Sequence, residues 1–356
     1  MDVQQYRQAQ KSHQIVNFSV VSLLFLGFFY IFVCNEANVK LLILPSAFQQ
    51  AQFLTSSNTS HVASFNITNE RDELAEVLAE TSTNNKTVII AMVNKAYVEG
   101  DKSMLDIFLD GFWLGEDTRS LVDHLLIVAA DQTSYDRCKY LRLHCYKLKT
   151  DGVDFVGEKL YMSEDFIKMM WRRTLFLSNV LKHGYNFIFT DTDILWLRNP
   201  FPNLIQNQSI DIQISVDVFI GKEWSERGQH INTGFYMINS NNKTIALFDS
   251  WYAEKDKSKG WKEQDVLVKL MRKGLFQNLG IKARFLDTVY FSGFCQDSRN
   301  VKLVSTVHAN CCRSISAKVA DLTTVIHDWK SFLTANETMP FRWSPHNGCI
   351  NSWKHR

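Results

Sequence analysis

Asp191-Thr192-Asp193 is the only Asp-x-Asp in the chain, and it follows directly on the apolar run Tyr185 to Thr190. In extended backbone, side chains two residues apart point to the same side, so this spacing predicts two carboxylates leaving a buried strand end together. Like charges so placed repel unless a counter-ion joins them. A hard divalent cation, Mn2+ or Mg2+, takes oxygen ligands and commonly bridges one or two carboxylates to phosphate oxygens. The expected chemistry is therefore the binding of a metal diphosphate. A solvated acidic turn would contain the same residues, but Ile194-Leu195-Trp196-Leu197 returns to core composition at once, which favours the metal.

Other polar residues fall at the ends of apolar runs. Asp217 closes the strand expected over Ile210 to Val216 and aims another carboxylate at the same edge. Asn232 and Gly234 precede the strand Phe235-Tyr236-Met237-Ile238, where a turn would also use them. Glu263, Gln264 and Asp265 begin a helix whose apolar side is Val266, Leu267, Leu270 and Met271, and acids suit a helix N-terminus on charge grounds alone. Lys168, Arg172 and Arg173 lie on the helix expected over Ser163 to Leu181. Arg172 is the one assigned to a departing diphosphate, although exposed cations on such a helix are ordinarily just solvated, and that reading is favoured for the group.

The elements that must hold these residues alternate. A helix over Glu70 to Glu80 leads to a β-branched strand, Thr87 to Val93; a Ser103/Asp106 capping box opens a helix through Trp113; a strand follows at Leu125 to Ala130, then a helix near Tyr135 to Leu141. Buried strands alternating with helices predict an α/β fold with a mostly parallel sheet covered on both faces and ligands at the strands' carboxyl ends. There is no internal repeat and no glycine-rich phosphate loop.

With 356 residues, 46% hydrophobic and 21% charged, the chain can bury a large core, which excludes a disulfide-stapled miniprotein, wholesale disorder and a fibre. A net charge of +2 gives little drive toward phosphate backbones, so no nucleic-acid partner is expected. Val16 to Val33 is apolar and unbroken by charge. It is long enough to cross a hydrocarbon core of about 30 Å as a helix. It lacks a small-residue cleavage pattern, so it reads as an anchor, with Arg7 and Lys11 holding the N-terminus in the cytosol. Residues 1–13 are then a cytosolic tail, 14–34 a transmembrane signal anchor, and 35–69 a lumenal stem rich in Ser, Thr, Asn and Gln. Residues 70–356 form the functional domain. Lumenal placement agrees with the glycosylation acceptors Asn58, Asn66, Asn85, Asn207, Asn242 and Asn336. It agrees also with six cysteines after Cys34: Cys138, Cys145, Cys295, Cys311, Cys312 and Cys349. An even number permits three disulfides, of which Cys138 with Cys145 is the local choice.

The runs FTDTDILWLRNPF (Phe189 to Phe201), INTGFYMINS (Ile231 to Ser240), KEQDVL (Lys262 to Leu267) and VHANCC (Val307 to Cys312) occur in one order over roughly Thr87 to Trp329. In this the chain resembles the plant nucleotide-diphospho-sugar transferases, glycosyltransferase family 77. The resemblance implies a GT-A (Rossmann-like) domain over 70–356 and a Golgi single-pass type II membrane enzyme. It also implies a UDP-sugar or similar donor held by Mn2+ (or Mg2+), a cell-wall polysaccharide or glycoprotein acceptor, and retention of anomeric configuration. Residue by residue, it implies metal binding by Asp191, Asp193 and His308, with Asp193 the more direct carboxylate. A neutral imidazole suits Mn2+, although a lone histidine ending the strand expected over Val301 to Val307 is otherwise an ordinary core residue. It further implies a donor-sugar contact by Asn232 and Gly234, and places Glu263 or Gln264 beneath the reacting face of the sugar.

Two routes fit retention: attack by the acceptor hydroxyl on the face the diphosphate is leaving, or double displacement with Glu263 or Asp217 as nucleophile. Two other classes fit less of the sequence. One is a lumenal carbohydrate-binding or scaffold protein of the same fold without turnover. The other is a haloacid-dehalogenase-type phosphatase with Asp191 as nucleophile, whose motif would belong on the first strand.

Overall fold

The computed structural model describes residues 72–150, 155–159, 161–335 and 341–354, all within a compact unit running from Asn69 to Arg356. The expected cytosolic tail, membrane anchor and stem lie outside the described residues, as do Asn58, Asn66 and Asn336. Among the described residues no helix is long and apolar enough to cross a membrane.

The helices in chain order are α1 (Glu73–Thr81), α2 (Lys95–Val98), α3 (Met104–Leu114), α4 (Gln132–Tyr140), α5 (Glu164–Lys182), α6 (Asn242–Tyr252), α7 (Glu263–Arg272), α8 (Leu275–Leu279), α9 (Ile315–Thr334) and α10 (Asn347–Asn351). The strands are β1 (Thr87–Val93), β2 (Leu125–Ala129), β3 (His144–Lys147), β4 (Asn186–Thr190), β5 (Ile194–Trp196), β6 (Ile212–Val216), β7 (Ile231–Ile238), β8 (Ala283–Phe285), β9 (Phe291–Gly293) and β10 (Thr306–His308). Seven of them form one sheet in the order β3-β2-β1-β4-β7-β6-β8, and β5-β10-β9 form a second. The large sheet is mixed: β1, β2, β3 and β4 pair in parallel, β7 runs antiparallel to both β4 and β6, and β8 is parallel to β6.

The continuous apolar strands follow from burial on both faces. In β1, Val88 and Ile90 pack with Leu78 of α1 and with Phe176, Leu177 and Val180 of α5, while Ile89, Ala91 and Val93 pack with Phe108 and Phe112 of α3. A third cluster joins the small sheet to α9 through Leu195, Val307, Leu322, Val325 and Trp329. Trp196 lies where these layers meet, fully buried, stacked on Phe112 at 4.9 Å and donating its indole N–H to Thr190 Oγ1 at 3.2 Å.

Helix starts follow the capping chemistry in the sequence. Ser103 and Asp106 close the expected capping box, and Ser163 caps α5. Three expectations change. Asn232 to Gly234 lie inside β7 rather than in a turn before it, because β7 begins at Ile231. The strand expected from Val301 is only Thr306–His308, since residues 301–303 turn. Asp191 to Asp193 form a turn between the two sheets rather than an extended strand end. Three disulfides cross-link the fold: Cys138–Cys145, Cys295–Cys311 and Cys312–Cys349.

Replacing Trp196 by Ala removes a fully buried ring at the junction of the layers and should cost about 3–5 kcal/mol of stability. Urea unfolding checks this, and a midpoint unchanged from wild type would contradict the packing described.

Candidate active site

A cleft of about 270 Å3 opens at the carboxyl ends of β1 and β4, lined among others by Tyr97, Arg173, Asp191, Asp193, Asn232, Gly234, Glu263, Gln264, His308 and Lys318. Its position is where an open α/β sheet is expected to bind ligands.

The turn after β4 brings the two aspartates together by a route different from strand alternation. The Asp191 N–H donates to the Gly234 carbonyl at 2.7 Å, tying the first aspartate to β7, and the Ala309 N–H donates to the Asp193 carbonyl at 2.9 Å, tying the second to the small sheet. The antiparallel register of β10 on β5 pairs His308 with Ile194 and sets the imidazole beside Asp193. As a result one ligand atom from each of Asp191, Asp193 and His308 lies within 4.8 Å of the other two.

Two observations bear on whether a cation fits. Asp193 Oδ1 is buried and has no hydrogen-bond partner; His308 Nε2 stands 3.3 Å away, within ion-pair range but not aligned as a hydrogen bond. A buried carboxylate oxygen left bare is costly, and a cation answers that cost. Gly234 forms the facing wall: a Cβ there would stand 2.6 Å from His308 Cε1, 2.7 Å from Asp191 Oδ2 and 2.8 Å from Asn232 Oδ1. The space is thus kept open by the absence of a side chain. Two carboxylates and an imidazole suit Mn2+ or Mg2+, with the nitrogen favouring the former.

Two cations hold the acids in place. Arg173 donates to Asp191 Oδ1 at 2.8 Å and to Glu263 Oε1 at 2.7 Å, with its guanidinium 4.6 Å from the centroid of the Phe189 ring. Its planar fork reaches both acids at once, which a lysine could not do. Lys318 of α9 donates to Asp193 Oδ2 at 2.6 Å. Burial pushes Asp193 up, but the Lys318 ammonium and the His308 imidazole outweigh it and hold the carboxyl well below the usual range. Asp191 is 35% exposed to the cleft yet deep beneath the outer surface; burial raises it, Arg173 opposes, and the net direction is upward. Asp193 is therefore the firmly ionised member. Burial pushes the Tyr97 phenol up to about 12, so at neutral pH this cleft residue keeps its proton.

Around this centre the Thr233 hydroxyl donates to Glu263 Oε1 at 2.9 Å, and the Thr233 N–H donates to Gln264 Oε1 at 3.1 Å. Asp217 Oδ1 accepts from Asn232 Nδ2 at 2.7 Å and from Asn310 Nδ2 at 2.9 Å. The pairing of β6 with β7 slips between Ile214 and Ser215, an irregularity of the kind that re-aims side chains beside a site. Asn232, Gly234, Glu263, Gln264 and Asp217 all line the cleft, but Glu263 is buried and ion-paired rather than solvated at the N-terminus of α7.

The cations on α5 need correction. Arg172 is not among the residues lining the cleft; its guanidinium bonds the Lys149 carbonyl, and Lys168 pairs with Glu164 at 2.8 Å. One residue on, a turn of 100° sends Arg173 inward instead. Arg173 is only 6% exposed, so the solvated reading fails for it. Lys318 was missed altogether. Its only sequence signal is its place near the start of a helix ten residues beyond His308, and an isolated lysine there suggests nothing.

With the mixed sheet and the acidic cleft described, comparison with known proteins identifies the class. The sequence profile of the nucleotide-diphospho-sugar transferases matches residues 120–322, more than half of the chain. An uncharacterized protein of Arabidopsis thaliana is 50% identical, over 90% of this chain and 97% of its own. From the same plant, UDP-D-xylose:L-fucose alpha-1,3-D-xylosyltransferase 3 is 24% identical over 42% of this chain and 37% of its own. Among solved structures, mouse xyloside xylosyltransferase 1 in its apo form aligns at 15% identity, with a TM-score of 0.42, over 63% of this chain and 98% of that one. The fold is mixed α/β, with a mostly parallel sheet flanked by helices. The chain belongs to the nucleotide-diphospho-sugar transferase family and is a nucleotide-sugar-dependent glycosyltransferase. That membership sets aside the phosphatase reading of Asp191.

Gly234→Ala should reduce Mn2+ affinity by about ten- to a hundredfold, since a methyl group there displaces the ligands' own contacts. Calorimetric titration with Mn2+ measures this, and an unchanged Kd would remove Gly234 from the site. Arg173→Met strands two acids and should cost about 3–5 kcal/mol, whereas Arg172→Met should cost far less. Equal losses on urea unfolding would contradict the opposite orientations of the two arginines.

Proposed function

We propose that this chain transfers a sugar from a UDP-sugar to a hydroxyl of a cell-wall polysaccharide or glycoprotein. In this reading Asp191, Asp193 and His308 hold the donor through Mn2+ or Mg2+, and anomeric configuration is retained. The observation that carries the reading is the bare, buried Asp193 Oδ1 within reach of Asp191 and His308 at the sheet's ligand-binding edge. UDP is the nucleotide named for the Arabidopsis xylosyltransferase above, and it is adopted here on that ground.

A divalent cation bound there supplies Lewis-acid neutralisation of the diphosphate as the glycosidic bond stretches. The chain's own groups account for the rest. Lys318, at the rim of the same carboxylate, can move its ammonium from Asp193 to a departing phosphate oxygen without crossing the cleft. Arg173 fixes Asp191 and Glu263 relative to one another, so the acids beneath the sugar do not reorganise during the reaction. Asn232 and Gln264 line the cleft and offer amide groups to sugar hydroxyls.

Glu263 is a poor nucleophile where it stands. Its side chain is 2% exposed and its charge is taken up by Arg173. Asp217, with two amide donors on one oxygen, is the more accessible candidate. Attack on the leaving face needs neither acid: the acceptor oxygen forms the new bond to the anomeric carbon, the old bond to the diphosphate breaks, and the hydroxyl proton passes to the departing oxygen. Attack on the leaving face is the route we adopt.

We place the enzyme in the Golgi membrane as a single-pass type II protein. The Val16 to Val33 span, the sequons and the three disulfides, which suit an oxidising compartment, support that placement. Asn85, Asn207 and Asn242 are exposed and available for glycans.

Asp193→Asn keeps the shape of the side chain but removes the charge, and should lower Mn2+-dependent turnover of a UDP-sugar by at least about a thousandfold. Asp193→Ala is the poorer test, since it also leaves the Lys318 ammonium unpaired. A radiolabelled UDP-sugar panel with and without EDTA measures this; turnover that survives the substitution or the chelator would refute the metal-held donor.

A further inference from the structure

The family match ends at residue 322, yet the chain beyond it returns to the cleft. The Cys312–Cys349 disulfide ties α10 to the segment that follows His308, and Trp353 comes just after it. Four tryptophans are strongly exposed among the described residues: Trp113, Trp224, Trp261 and Trp353. Of these only Trp353, 48% exposed, lines the cleft that holds Asp191, Asp193 and His308.

This indole is fixed without being buried. Its Nε1–H donates to the Cys311 carbonyl at 2.7 Å, the Arg313 guanidinium lies 5.3 Å from its ring centroid, and Tyr161 meets it edge-on at 6.4 Å. Cys311 and Trp353 are also walls of a second hollow, of about 450 Å3, so the ring stands between the two spaces. That hollow mixes flat apolar surface with hydrogen-bonding groups. His346 is stacked on Phe294 at 3.6 Å and its Nε2 meets Asp297 Oδ1 at 2.9 Å, while the Trp343 indole N–H is already satisfied by the Ser298 carbonyl at 3.1 Å. Asp297 itself remains 42% exposed and can accept from further donors.

We infer that Trp353 and the hollow behind it form the acceptor subsite, and that its ligand is an uncharged oligosaccharide. One sugar ring would lie against the indole at the mouth of the cleft while the rest of the chain occupies the second hollow. A sugar ring presents a face of C–H groups and a rim of hydroxyls, which matches a flat ring whose polar edge is already bonded, with a carboxylate nearby to accept hydroxyl protons. The fixed orientation lowers the ordering cost of binding. Trp343, His346 and Trp353 lie beyond the family match while Phe294, Asp297 and Cys311 lie inside it, so the part with both indoles is what gives this chain acceptor selectivity separate from donor chemistry. The inference rests on the reading that the cleft binds a sugar donor, because it says where the attacking hydroxyl comes from.

The test is direct binding to the full-length protein, by calorimetry and by tryptophan fluorescence, of short xylan, arabinan and galactan oligosaccharides in the absence of donor. Wild type should bind at least one of them. Trp353→Gln keeps a side-chain N–H for the Cys311 carbonyl but loses the ring, and should weaken that binding by about tenfold; Trp353→Phe, which keeps an aromatic face, should bind within about threefold of wild type. The subsite is overturned if Trp353→Gln binds as wild type does, or if none of the three oligosaccharide classes binds wild type. A separate titration of wild type with UDP and Mn2+ isolates the donor reading: no binding there contradicts that reading and not the aromatic subsite.

Discussion

Two aspartates of the same short turn bring their carboxylates to the floor of a cleft, Asp193 buried and Asp191 partly exposed, and the architecture around them answers that charge. Arg173 comes from a long helix on one side and Lys318 from a helix at the far end of the chain, 125 residues beyond Asp193. Each cation takes one oxygen of one aspartate, and Arg173 holds Glu263 as well. What remains is a bare oxygen on Asp193 beside an imidazole, with Gly234 walling the other side of that imidazole and of Asp191, a donor set with room for one more positive charge. A buried pair stripped of one partner is strongly destabilising, so the cations are structural requirements of the site.

The two sheets exist, from the site's point of view, to meet at that turn. β4 delivers Asp191 from the large sheet, and β5 with β10 delivers Asp193 and His308 from the small one. Trp196 seals the seam by reaching back to Thr190. β7 contributes the wall, with its irregular pairing placing Asn232, Thr233 and Gly234 where ordinary strand alternation would not. This concentration of polar contacts at a strand end sits over a core of interlocked aromatic rings, among them Phe112 on Trp196 and Phe235 on Phe291.

Much of this was legible in the sequence. β1 matched its apolar run at both ends, the Ser103 box capped α3, and Ser163 capped α5, because those signals are local. Asp191 and Asp193 stood out through their context. The reason offered for their convergence was wrong in mechanism: a turn between sheets brings them together, not a two-residue strand period. His308 needed the family likeness, since nothing local separates a ligand histidine from a packed one. The choice of Arg173 over Arg172 depends on helix rotation to within one residue, which periodicity with imprecise ends does not resolve. Lys318 was invisible and the small sheet legible only as an overlong strand ending at His308, for a related reason: three-residue strands carry almost no pattern, and the pairing of Lys318 with Asp193 exists only once the chain has folded. Trp353 belongs with them, an exposed aromatic whose meaning comes from the disulfide beside it.

Anomalous diffraction at the manganese edge, from crystals grown with UDP and Mn2+, addresses the central claim most directly. The account predicts one strong peak within bonding distance of Asp193 and His308, shared with the diphosphate, and a Lys318 side chain turned away from Asp193. Diphosphate bound with no metal between it and these residues, or manganese lodged elsewhere in the chain, would contradict it.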